Sequence, residues 1–517
     1  MSTLPPAAPT TRIGRGPAAL IGVLAVAAAI AVGHLVGSVV SPSSSPYLAV
    51  ADAVVRLAPP WLVEFAKDAF GPADKPVLVA GIAVVLLAVA AGAGLAARER
   101  TAPATTTVVV LGLLAATAVV TAPTFAPVDL LAPAASLGTG LLVLRRLHAL
   151  ALPGPDRTGG PSRRALLTGA LAAVGSGSLL AGGLGQLLAG RSAGSRDEVT
   201  AALRAAPVVQ RAPAVPASAA FPESVPFLTA TADFYRIDTA LRIPSGTAGD
   251  WSLRVHGLVD RELTLRFADL LARPLVERTV TLLCVSNPIG GDLVSTAVFT
   301  GVPLREVLLE AGVRPGADQL LSTSADGWTA GTPVDVLLEP DRGALLAIGM
   351  NGEALPPEHG FPVRMVVPGL YGYVSATKWV TDLEVTTFAA DRAYWRHRGW
   401  GERGPIKTMA RIDTPTGAGS VPAGRVVVAG VAWSQPRGVS RVEVRVDGGA
   451  WTDAELATEV GGDTWRMWRA TVDLAPGTRV LTARATDTDG DVQTGEVADV
   501  LPDGATGYPS VTVTAGG

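Results

Sequence analysis

The sequence predicts a multi-domain membrane protein with three parts: a bundle of about five transmembrane helices, a central domain built around one cysteine, and a C-terminal β-sandwich. Hydrophobic residues make up 48% of the 517 residues and charged residues only 17%, which indicates a membrane part beside a soluble part. Long apolar runs are confined to residues 1–190. Short alternating stretches separated by turn residues fill residues 393–517, as expected of strands.

Residues 1–190 are predicted to form the transmembrane region. About 20 apolar residues are enough to cross the hydrocarbon core of a bilayer. The runs of that length are residues 17–40, 76–97, 106–124, 128–147 and 165–189, of which the fifth is the least hydrophobic. A cleaved signal peptide is the alternative for the first run. Four more runs follow it without a clear cleavage site, which argues against cleavage.

Basic residues beside the runs predict their orientation, because Lys and Arg are enriched on the cytoplasmic side. They lie before the first run, between the second and third, and between the fourth and fifth: Arg12, Arg15, Arg98, Arg100, Arg145, Arg146, Arg157, Arg163 and Arg164. Placing all of them in the cytoplasm puts the chain after residue 190 on the extracytoplasmic side. The segment SRRALL, residues 162–167, resembles an internal twin-arginine export signal, although an ordinary basic flank explains it equally well.

The sequence gives no indication of haem in the membrane region. His34 is the only histidine well inside an apolar run, His148 lies at the end of one, and no Cys-x-x-Cys-His motif occurs. We interpret His34 as a packing or hydrogen-bonding residue and the helices as an anchor or partner surface. The net charge of −3 does not indicate binding to nucleic acid.

Residues 191–226 are predicted to be an extended tether between the membrane region and the central domain. The segment is rich in Ala, Pro, Arg and Ser. Proline interrupts helices, and proline-rich linkers are extended. Its prolines are Pro207, Pro213, Pro216, Pro222 and Pro226.

The central domain, residues 227–392, is organised around Cys284, the only cysteine in the sequence. An apolar run, residues 280–285, leads into the turn of TLLCVSNPIGGD, residues 281–292. A single cysteine cannot form an intramolecular disulfide. Three interpretations remain from the residues alone: a small buried hydrophobe, a nucleophile beside His359 or His397, or a soft thiolate ligand for a metal.

Three motifs in order resemble the sulfite oxidase family of molybdopterin enzymes. They are TLLCVSNPIGGD, then FTGVPLREVLLEAGV at residues 299–313, then NGEALPPEHGFPVRMVVPGLYGYVSATKW at residues 351–379. The resemblance implies an α+β molybdopterin domain that catalyses oxygen-atom transfer. It also implies a molybdenum ion held by a single pterin dithiolene and one cysteine thiolate, and Cys284 matches that metal ligand.

The resemblance further implies which residues bind the cofactor. Tyr235 and Arg236, in ADFYRIDT, match a segment at the phosphate end of the pterin. His359 matches a histidine hydrogen-bonded to the cofactor, and Arg364 has the planar guanidinium that suits a phosphate. The other matched positions are Thr323 near the pterin and Ser375 and Lys378 in a second phosphate-side loop. Apart from these matches, Tyr373 is expected to line the substrate pocket and, with Cys284, to be catalytic.

One departure from the family concerns the substrate. Sulfite oxidases carry arginines shortly after the cysteine, where they help to hold the sulfite anion, whereas Asn287, Pro288 and Ile289 stand there in this chain. The substrate is therefore either an oxo acceptor such as sulfite or an oxo donor such as a sulfoxide. The sequence shows no haem or iron–sulfur ligands, so we expect a separate electron-transfer partner, either a cytochrome or a quinone-linked protein.

Residues 393–517 are predicted to form a β-sandwich of immunoglobulin type. The stretches RVVVAGVAWS, SRVEVRVDGGAW, WRMWRATVDL and RVLTARATDTDG have strand character, and Asp447-Gly448 is a hairpin signal. The resembling family often uses such a domain for dimerisation, so a homodimer is expected. The competing hypothesis for the whole chain is a non-enzymatic, membrane-anchored surface protein that binds a partner through this sandwich.

Overall fold

A computed structural model describes most of the chain: residues 12–40, 44–70, 73–122, 125–152, 191–241, 243–244, 246–417 and 419–516. The chain divides into two compact units. The first is Met1–Arg191 with Ala240–Pro244, and the second is Ser192–Thr239 with Ser245–Gly517.

The first unit is helical. Its helices are α1 (Arg15–Val40), α2 (Pro46–Leu57), α3 (Pro60–Phe70), α4 (Asp74–Ala96), α5 (Ala102–Val120) and α6 (Leu131–Ala151). Among the described residues, four stretches are long and apolar enough to cross a membrane: Arg15–Val40, Asp74–Ala96, Ala102–Val120 and Pro127–Ala151. They coincide with the first four predicted runs. The predicted fifth run, residues 165–189, and the SRRALL segment lie outside the described residues.

Close approach of helix backbones shapes the packing of α1 against α4. A Cβ atom added at Gly22 would lie 2.0 Å from the Ala90 carbonyl oxygen, and one added at Gly94 would lie 2.2 Å from the Ala18 carbonyl oxygen. Small residues permit such contacts between membrane helices. His34 Nδ1 lies 3.0 Å from Ser45 Oγ, which agrees with the hydrogen-bonding role expected for this histidine.

Replacing Gly94 by valine is expected to destabilise the helical unit by about 1–3 kcal/mol, the usual cost of overpacking. The new Cβ would overlap the Ala18 carbonyl oxygen. Gly92→Val is the matched control on the same helix, because a Cβ at Gly92 would have no heavy atom within 4 Å. Thermal unfolding in detergent measures the difference, and equal melting temperatures for the two variants would contradict the packing argument.

The second unit is mainly β-structure. Its strands are β1 (Val208–Gln210), β2 (Ser252–Gly257), β3 (Leu263–Arg266), β4 (Leu275–Leu283), β5 (Val294–Pro303), β6 (Gln319–Ser324), β7 (Thr329–Pro333), β8 (Leu345–Met350), β9 (Glu353–Ala354), β10 (Arg364–Val366), β11 (Val380–Thr386), β12 (Met409–Thr414), β13 (Ser420–Pro422), β14 (Gly424–Trp433), β15 (Val439–Val446), β16 (Thr452–Asp453), β17 (Glu455–Leu456), β18 (Arg466–Leu474), β19 (Gly477–Asp487) and β20 (Ser510–Gly516). Its helices are α7, described over residues 191–205, α8 (Phe267–Leu271), α9 (Leu304–Ala311), α10 (Val334–Leu338) and α11 (Gly372–Ser375).

Two sheets form the central domain. One has the order β1-β4-β5-β8-β10 with β9 beside β8, and the other has the order β3-β2-β11-β6-β7. Buried aliphatic and aromatic side chains from both sheets belong to a single core, among them Leu253, Leu283, Phe299 and Leu320. Cys284 directly follows β4, so this core fixes the backbone that carries the thiol.

Two further sheets form the C-terminal part. Their orders are β12-β14-β18-β17 and β13-β20-β19-β15-β16, and most of their strand pairs are antiparallel. Trp433 and Trp468 are among the largest fully buried side chains. This region is rich in β-structure as predicted, and its assignment to the immunoglobulin type stays a prediction.

Residues 191–226 differ from the extended tether that their prolines predicted. Residues 191–205 are helical, and α7 buries Val199 and Leu203 in the core of the central domain. Val208 then pairs with Leu275 in a parallel strand. All five prolines lie after α7, so they end this helix without excluding it. The helix is stabilised because Val199 and Leu203 are removed from solvent.

Candidate active site

Cys284 lies in a short closed loop between β4 and β5. The Cys284 amide donates to the Leu293 carbonyl oxygen at 3.0 Å, and its own carbonyl accepts the Asn287 amide at 3.1 Å. Asn287 Oδ1 accepts the Leu293 amide at 2.9 Å. A Cβ at Gly291 would lie 2.4 Å from that Oδ1 atom, so the loop requires a glycine there. The result is a cysteine that is 9% exposed on a firmly held backbone.

Tyr235 and the turn before α11 lie beside the cysteine end of β4. A Cβ at Gly372 would be 3.5 Å from the Leu283 carbonyl oxygen and 3.9 Å from Tyr235 Oη. The Tyr235 amide donates to Ser295 Oγ at 3.2 Å, which anchors the segment. Burial raises the pKa of Tyr235, and the charge of the Cys284 thiolate raises it further against the opposing effect of Arg364. Tyr235 therefore presents a protonated phenol near the thiol.

Arg364 is a buried cation on β10 with an exposure of 5%. Its Nη1 donates to the His359 carbonyl oxygen at 3.2 Å, its Nε donates to the Met365 carbonyl oxygen at 3.4 Å, and its guanidinium lies 5.7 Å from the centre of the Phe299 ring. Burial lowers the pKa of Arg364 to about 10, so the side chain remains charged at neutral pH.

His359 lies next to Arg364 and is neutral. It is 7% exposed, and its ring meets the edge of Phe234 at a centroid distance of 5.4 Å. Burial, together with the positive charges of Arg364 and Lys378, lowers the pKa of His359 to about 4, against a hydrogen bond to the Thr231 backbone. The Thr231 backbone therefore lies at this histidine.

The pH dependence of stability is expected to report on His359. The pKa of His359 is about 4 in the folded protein, against an ordinary value of 6.5. Between pH 6.5 and 4 the unfolded chain therefore binds more protons at this residue than the folded protein does. The free energy of unfolding consequently falls as the pH is lowered through this range. His359→Gln should remove this contribution, on the order of 3 kcal/mol between pH 7 and 4. Chemical unfolding of the cofactor-free protein measures it. His397→Gln, at an exposed position, is the control, and the same acid sensitivity in wild type and His359→Gln would contradict the prediction.

Lys378 and Arg236 meet at one buried carboxylate. Lys378 Nζ lies 3.1 Å and Arg236 Nε 2.8 Å from Asp238 Oδ2. Lys378 Nζ also donates to the Glu358 carbonyl oxygen at 3.1 Å. Burial lowers the pKa of Lys378 to about 8, although Asp238 counteracts it. These contacts join the segment that carries Tyr235 to the segment that carries His359.

The charges of this group fit an anionic ligand. Arg236 and Lys378 share the carboxylate of Asp238, and the charge of Arg364 acts on Lys378. The polar contacts of Arg364 in the described part of the chain are backbone carbonyls. Burying cations without counter-ions is costly. A phosphate would supply the missing negative charge. A cavity of about 890 Å³ also opens beside Tyr235 and Arg236.

Two predicted residues have other contacts. Ser375 is fully buried, and its Oγ donates to the Leu370 and Tyr371 carbonyl oxygens, so its contacts are those of a local structural residue. The second residue is Thr323. Its neighbour Ser322 contacts the predicted phosphate-side loop instead, with Ser322 Oγ 2.6 Å from Thr377 Oγ1. Successive side chains of a strand point to opposite faces, which separates Thr323 from Ser322.

The GLYGY motif holds two buried tyrosines, Tyr371 and Tyr373. The Tyr373 phenol donates to the Gly401 carbonyl oxygen at 2.9 Å, and burial raises its pKa, with Asp503 contributing. Burial raises the pKa of Tyr371 to about 12, with the charges of Asp503 and Cys284 adding to it against a hydrogen bond to the Lys407 backbone. Tyr371 is therefore a second candidate beside Tyr373, which sequence reasoning selected.

Arg411 is a second residue that sequence reasoning missed. It belongs to β12 in the C-terminal part and lines the cavity together with Asp292 and Trp465. Its Nη1 donates to the Gly291 carbonyl oxygen at 3.5 Å, and its Nε pairs with Asp413 Oδ1 at 2.6 Å. No local motif marks a residue that reaches the cysteine loop from 120 positions away.

The central domain is similar to known molybdopterin-binding proteins. Residues 240–395 match the family model described as the oxidoreductase molybdopterin binding domain. Sulfite oxidase of Gallus gallus is 30% identical over 308 residues, which cover 50% of this chain and 67% of that protein. The uncharacterized oxidoreductase YuiH of Bacillus subtilis is 36% identical over 154 residues, covering 30% of this chain and 74% of that protein.

The chain belongs to the sulfite oxidase family of molybdopterin-dependent oxidoreductases. Its cofactor is accordingly the molybdenum–molybdopterin group, and the hypothesis of a non-enzymatic surface protein is wrong. The chain spans only 56% of the human mitochondrial sulfite oxidase. The sulfane dehydrogenase SoxCD of Paracoccus pantotrophus shares the fold, with a TM-score of 0.50 and 24% identity over 56% of this chain and 82% of that chain.

Proposed function

We propose that this member of the sulfite oxidase family is a membrane-anchored enzyme that transfers an oxygen atom between molybdenum and a small molecule on the extracytoplasmic side. The observation that carries the proposal is the closed loop that presents Cys284 beside Tyr235, together with the buried cations Arg364 and Lys378. When bound, molybdenum would supply the redox chemistry: it would lose two electrons on taking an oxygen atom from a donor and gain two on giving one to an acceptor.

The residues of the chain divide into three roles in this proposal. Cys284 provides the thiolate ligand, a soft donor suited to molybdenum. Arg364, Lys378 and Arg236 hold the phosphate end of the pterin, and Asp238 keeps the last two cations together. The neutral ring of His359 hydrogen-bonds to the cofactor, since its low pKa leaves a ring nitrogen unprotonated at neutral pH.

Protonated phenols complete the substrate side. Tyr371 and Tyr235 both have raised pKa values and feel the charge of Cys284, so each is a hydrogen-bond donor at neutral pH. Such donors stabilise an oxygen atom that gains negative charge during its transfer. Tyr373, by contrast, is proposed to support the site through its contact with Gly401.

The charges around the cavity favour an uncharged oxo donor, such as a sulfoxide, over the sulfite anion. The charged residues that line it are Asp233, Arg236, Asp292 and Arg411, two acids and two bases. Arg411, which contacts the cysteine loop at the Gly291 carbonyl oxygen, is already paired with Asp413. A doubly charged anion would therefore meet little uncompensated positive charge there.

The membrane orientation has support within the helical unit. The Ile13 amide donates to the Arg98 carbonyl oxygen at 3.1 Å, and Arg98 Nε donates to the Ile13 carbonyl oxygen at 2.8 Å. His148 Nε2 donates to the Ala97 carbonyl oxygen at 2.8 Å. The starts of α1 and α5 and the ends of α4 and α6 thus lie together, which gathers their basic flanks at one end, as cytoplasmic placement requires.

The reaction also needs partners. A separate cytochrome or quinone-linked protein is proposed to exchange electrons with the cofactor, and the C-terminal sheets are proposed as the face of a homodimer. A homodimer is checked by measuring the mass of the detergent-solubilised protein by light scattering.

Dye-linked assays of the purified, metal-loaded protein test the function. Reduced viologen dye should be oxidised with sulfoxides, while an oxidising dye should not be reduced with sulfite. Sulfite turnover without sulfoxide turnover would reverse the proposed direction. Protein from a cofactor-competent host that contains molybdenum but acts on neither class would contradict the proposal.

A further inference from the structure

The C-terminal part closes the open edge of the strand that leads to Cys284. β4 pairs with β5 from Val276 to Leu283, whereas β1 pairs with it only at Leu275 and Val276. Strand edges carry N–H and C=O groups that need partners. At Thr281 the C-terminal part supplies them: the Thr281 amide donates to the Asp463 carbonyl oxygen at 3.0 Å, and Gln435 Nε2 donates to the Thr281 carbonyl oxygen at 2.8 Å.

The side chain of Thr281 is held as well. The Trp465 amide donates to Thr281 Oγ1 at 2.8 Å, and Thr281 Oγ1 lies 2.5 Å from Thr296 Oγ1 on β5. Thr281 stands three positions before Cys284. Hydrogen bonds therefore connect the end of β4 to β5 on one side and to the C-terminal part on the other.

Gln435 also holds the turn that faces the cysteine. Its Oε1 accepts the Gly369 amide at 3.4 Å, and its Nε2 donates to the Asp463 carbonyl oxygen at 2.8 Å. Gly369 has a positive φ of 81° and begins the turn that leads to Tyr371. Gln435 is only 2% exposed, so solvent cannot readily replace these bonds.

We propose that Gln435 is a positioning residue that fixes the Cys284 thiol relative to the Tyr371 turn, so that the C-terminal part takes part in building the active site. One side chain ties the strand before the thiol to the segment opposite it. Its loss leaves the Thr281 carbonyl and the Gly369 amide buried without a partner, which frees both segments to move. The inference rests on the proposed role of Cys284 as the metal ligand.

Alkylation of Cys284 by iodoacetamide tests this inference on the full-length, cofactor-free protein. Cys284 is the only cysteine, so the modified site is unambiguous. Gln435→Met keeps the length of the side chain and removes its hydrogen bonds. Its alkylation rate, measured well below the melting temperature, should rise about tenfold because local opening becomes easier. Gln435→Glu, which retains only the acceptor for Gly369, should raise the rate as well.

Gln493→Met is the matched control. Gln493 is a buried glutamine whose Oε1 accepts the amides of Ala410 and Ala485 at 3.0 Å and whose Nε2 donates to the Gly507 carbonyl oxygen at 2.7 Å. It makes the same number of hydrogen bonds within the C-terminal part and none to β4 or Gly369. We expect a lowered melting temperature but an alkylation rate within about twofold of wild type.

The outcomes separate the positioning role from a structural one. Equal alkylation rates in Gln435→Met and Gln493→Met would show that Gln435 only stabilises the fold and would overturn the inference. Gln435→Met from a cofactor-competent host should also hold less molybdenum per chain than Gln493→Met. A metal-free wild type from that host would overturn the proposed function, while the alkylation comparison would still decide the positioning of Cys284.

Discussion

Replacing Cys284 by serine is expected to lower dye-linked turnover by more than about 100-fold. Mutating a residue that merely hydrogen-bonds to a metal ligand already lowers activity by about 10- to 100-fold. Serine has nearly the same size, and Cys284 makes its described backbone bonds through its amide and carbonyl groups. The fold should therefore be retained. Turnover and the melting temperature are measured on the same preparation, so that lost activity is separated from lost structure.

The position of the thiol is tested by the double variant Cys284→Ser with Ser286→Cys. It retains one cysteine in the same loop but moves it two positions along the chain. We expect no recovery of turnover, because the hydrogen bonds from residue 284 to Leu293 and Asn287 fix where the loop points. Full activity in Cys284→Ser would contradict the assignment of this residue as the metal ligand.

Replacing Arg364 by methionine is expected to lower the cofactor content without lowering the stability of the cofactor-free protein. Molybdenum per chain should fall by about tenfold or more, since charge-assisted bonds to phosphate are strong. The melting temperature of the cofactor-free protein should not fall, because a buried cation whose described polar contacts are carbonyl oxygens is removed. Mass spectrometry of the metal and thermal unfolding measure the two quantities.

Arg425→Met provides the comparison for Arg364, since Arg425 is an exposed arginine on β14. It should change neither quantity. A parallel loss of stability and molybdenum in Arg364→Met would mean that the arginine supports the fold and that its effect on the cofactor is indirect.

Local sequence was sufficient where the determinants lie close together in the chain. Cys284 and its loop are set by hydrogen bonds within residues 284–293, and His359 and Arg364 lie in one short motif. The choice between Tyr371 and Tyr373 was different. Both belong to the same glycine-rich motif, and only the folded structure shows that the Tyr373 phenol donates to Gly401.

Contacts between distant segments could not be predicted from sequence. Arg411 and Gln435 reach the cysteine strand and its loop from the C-terminal part across more than a hundred residues, and neither stands in a recognisable motif. The α7 helix was missed for another reason. The prolines of residues 207–226 dominated the pattern, whereas burial of Val199 and Leu203 stabilises the helix before them.

X-ray absorption at the molybdenum edge of the loaded protein counts the sulfur atoms bound to the metal and so tests whether Cys284 is one of its ligands. We expect the wild type to have one sulfur neighbour more than Cys284→Ser and Gln493→Met to match the wild type. The same number of sulfur neighbours in wild type and Cys284→Ser would contradict the claim that the Cys284 thiolate binds molybdenum.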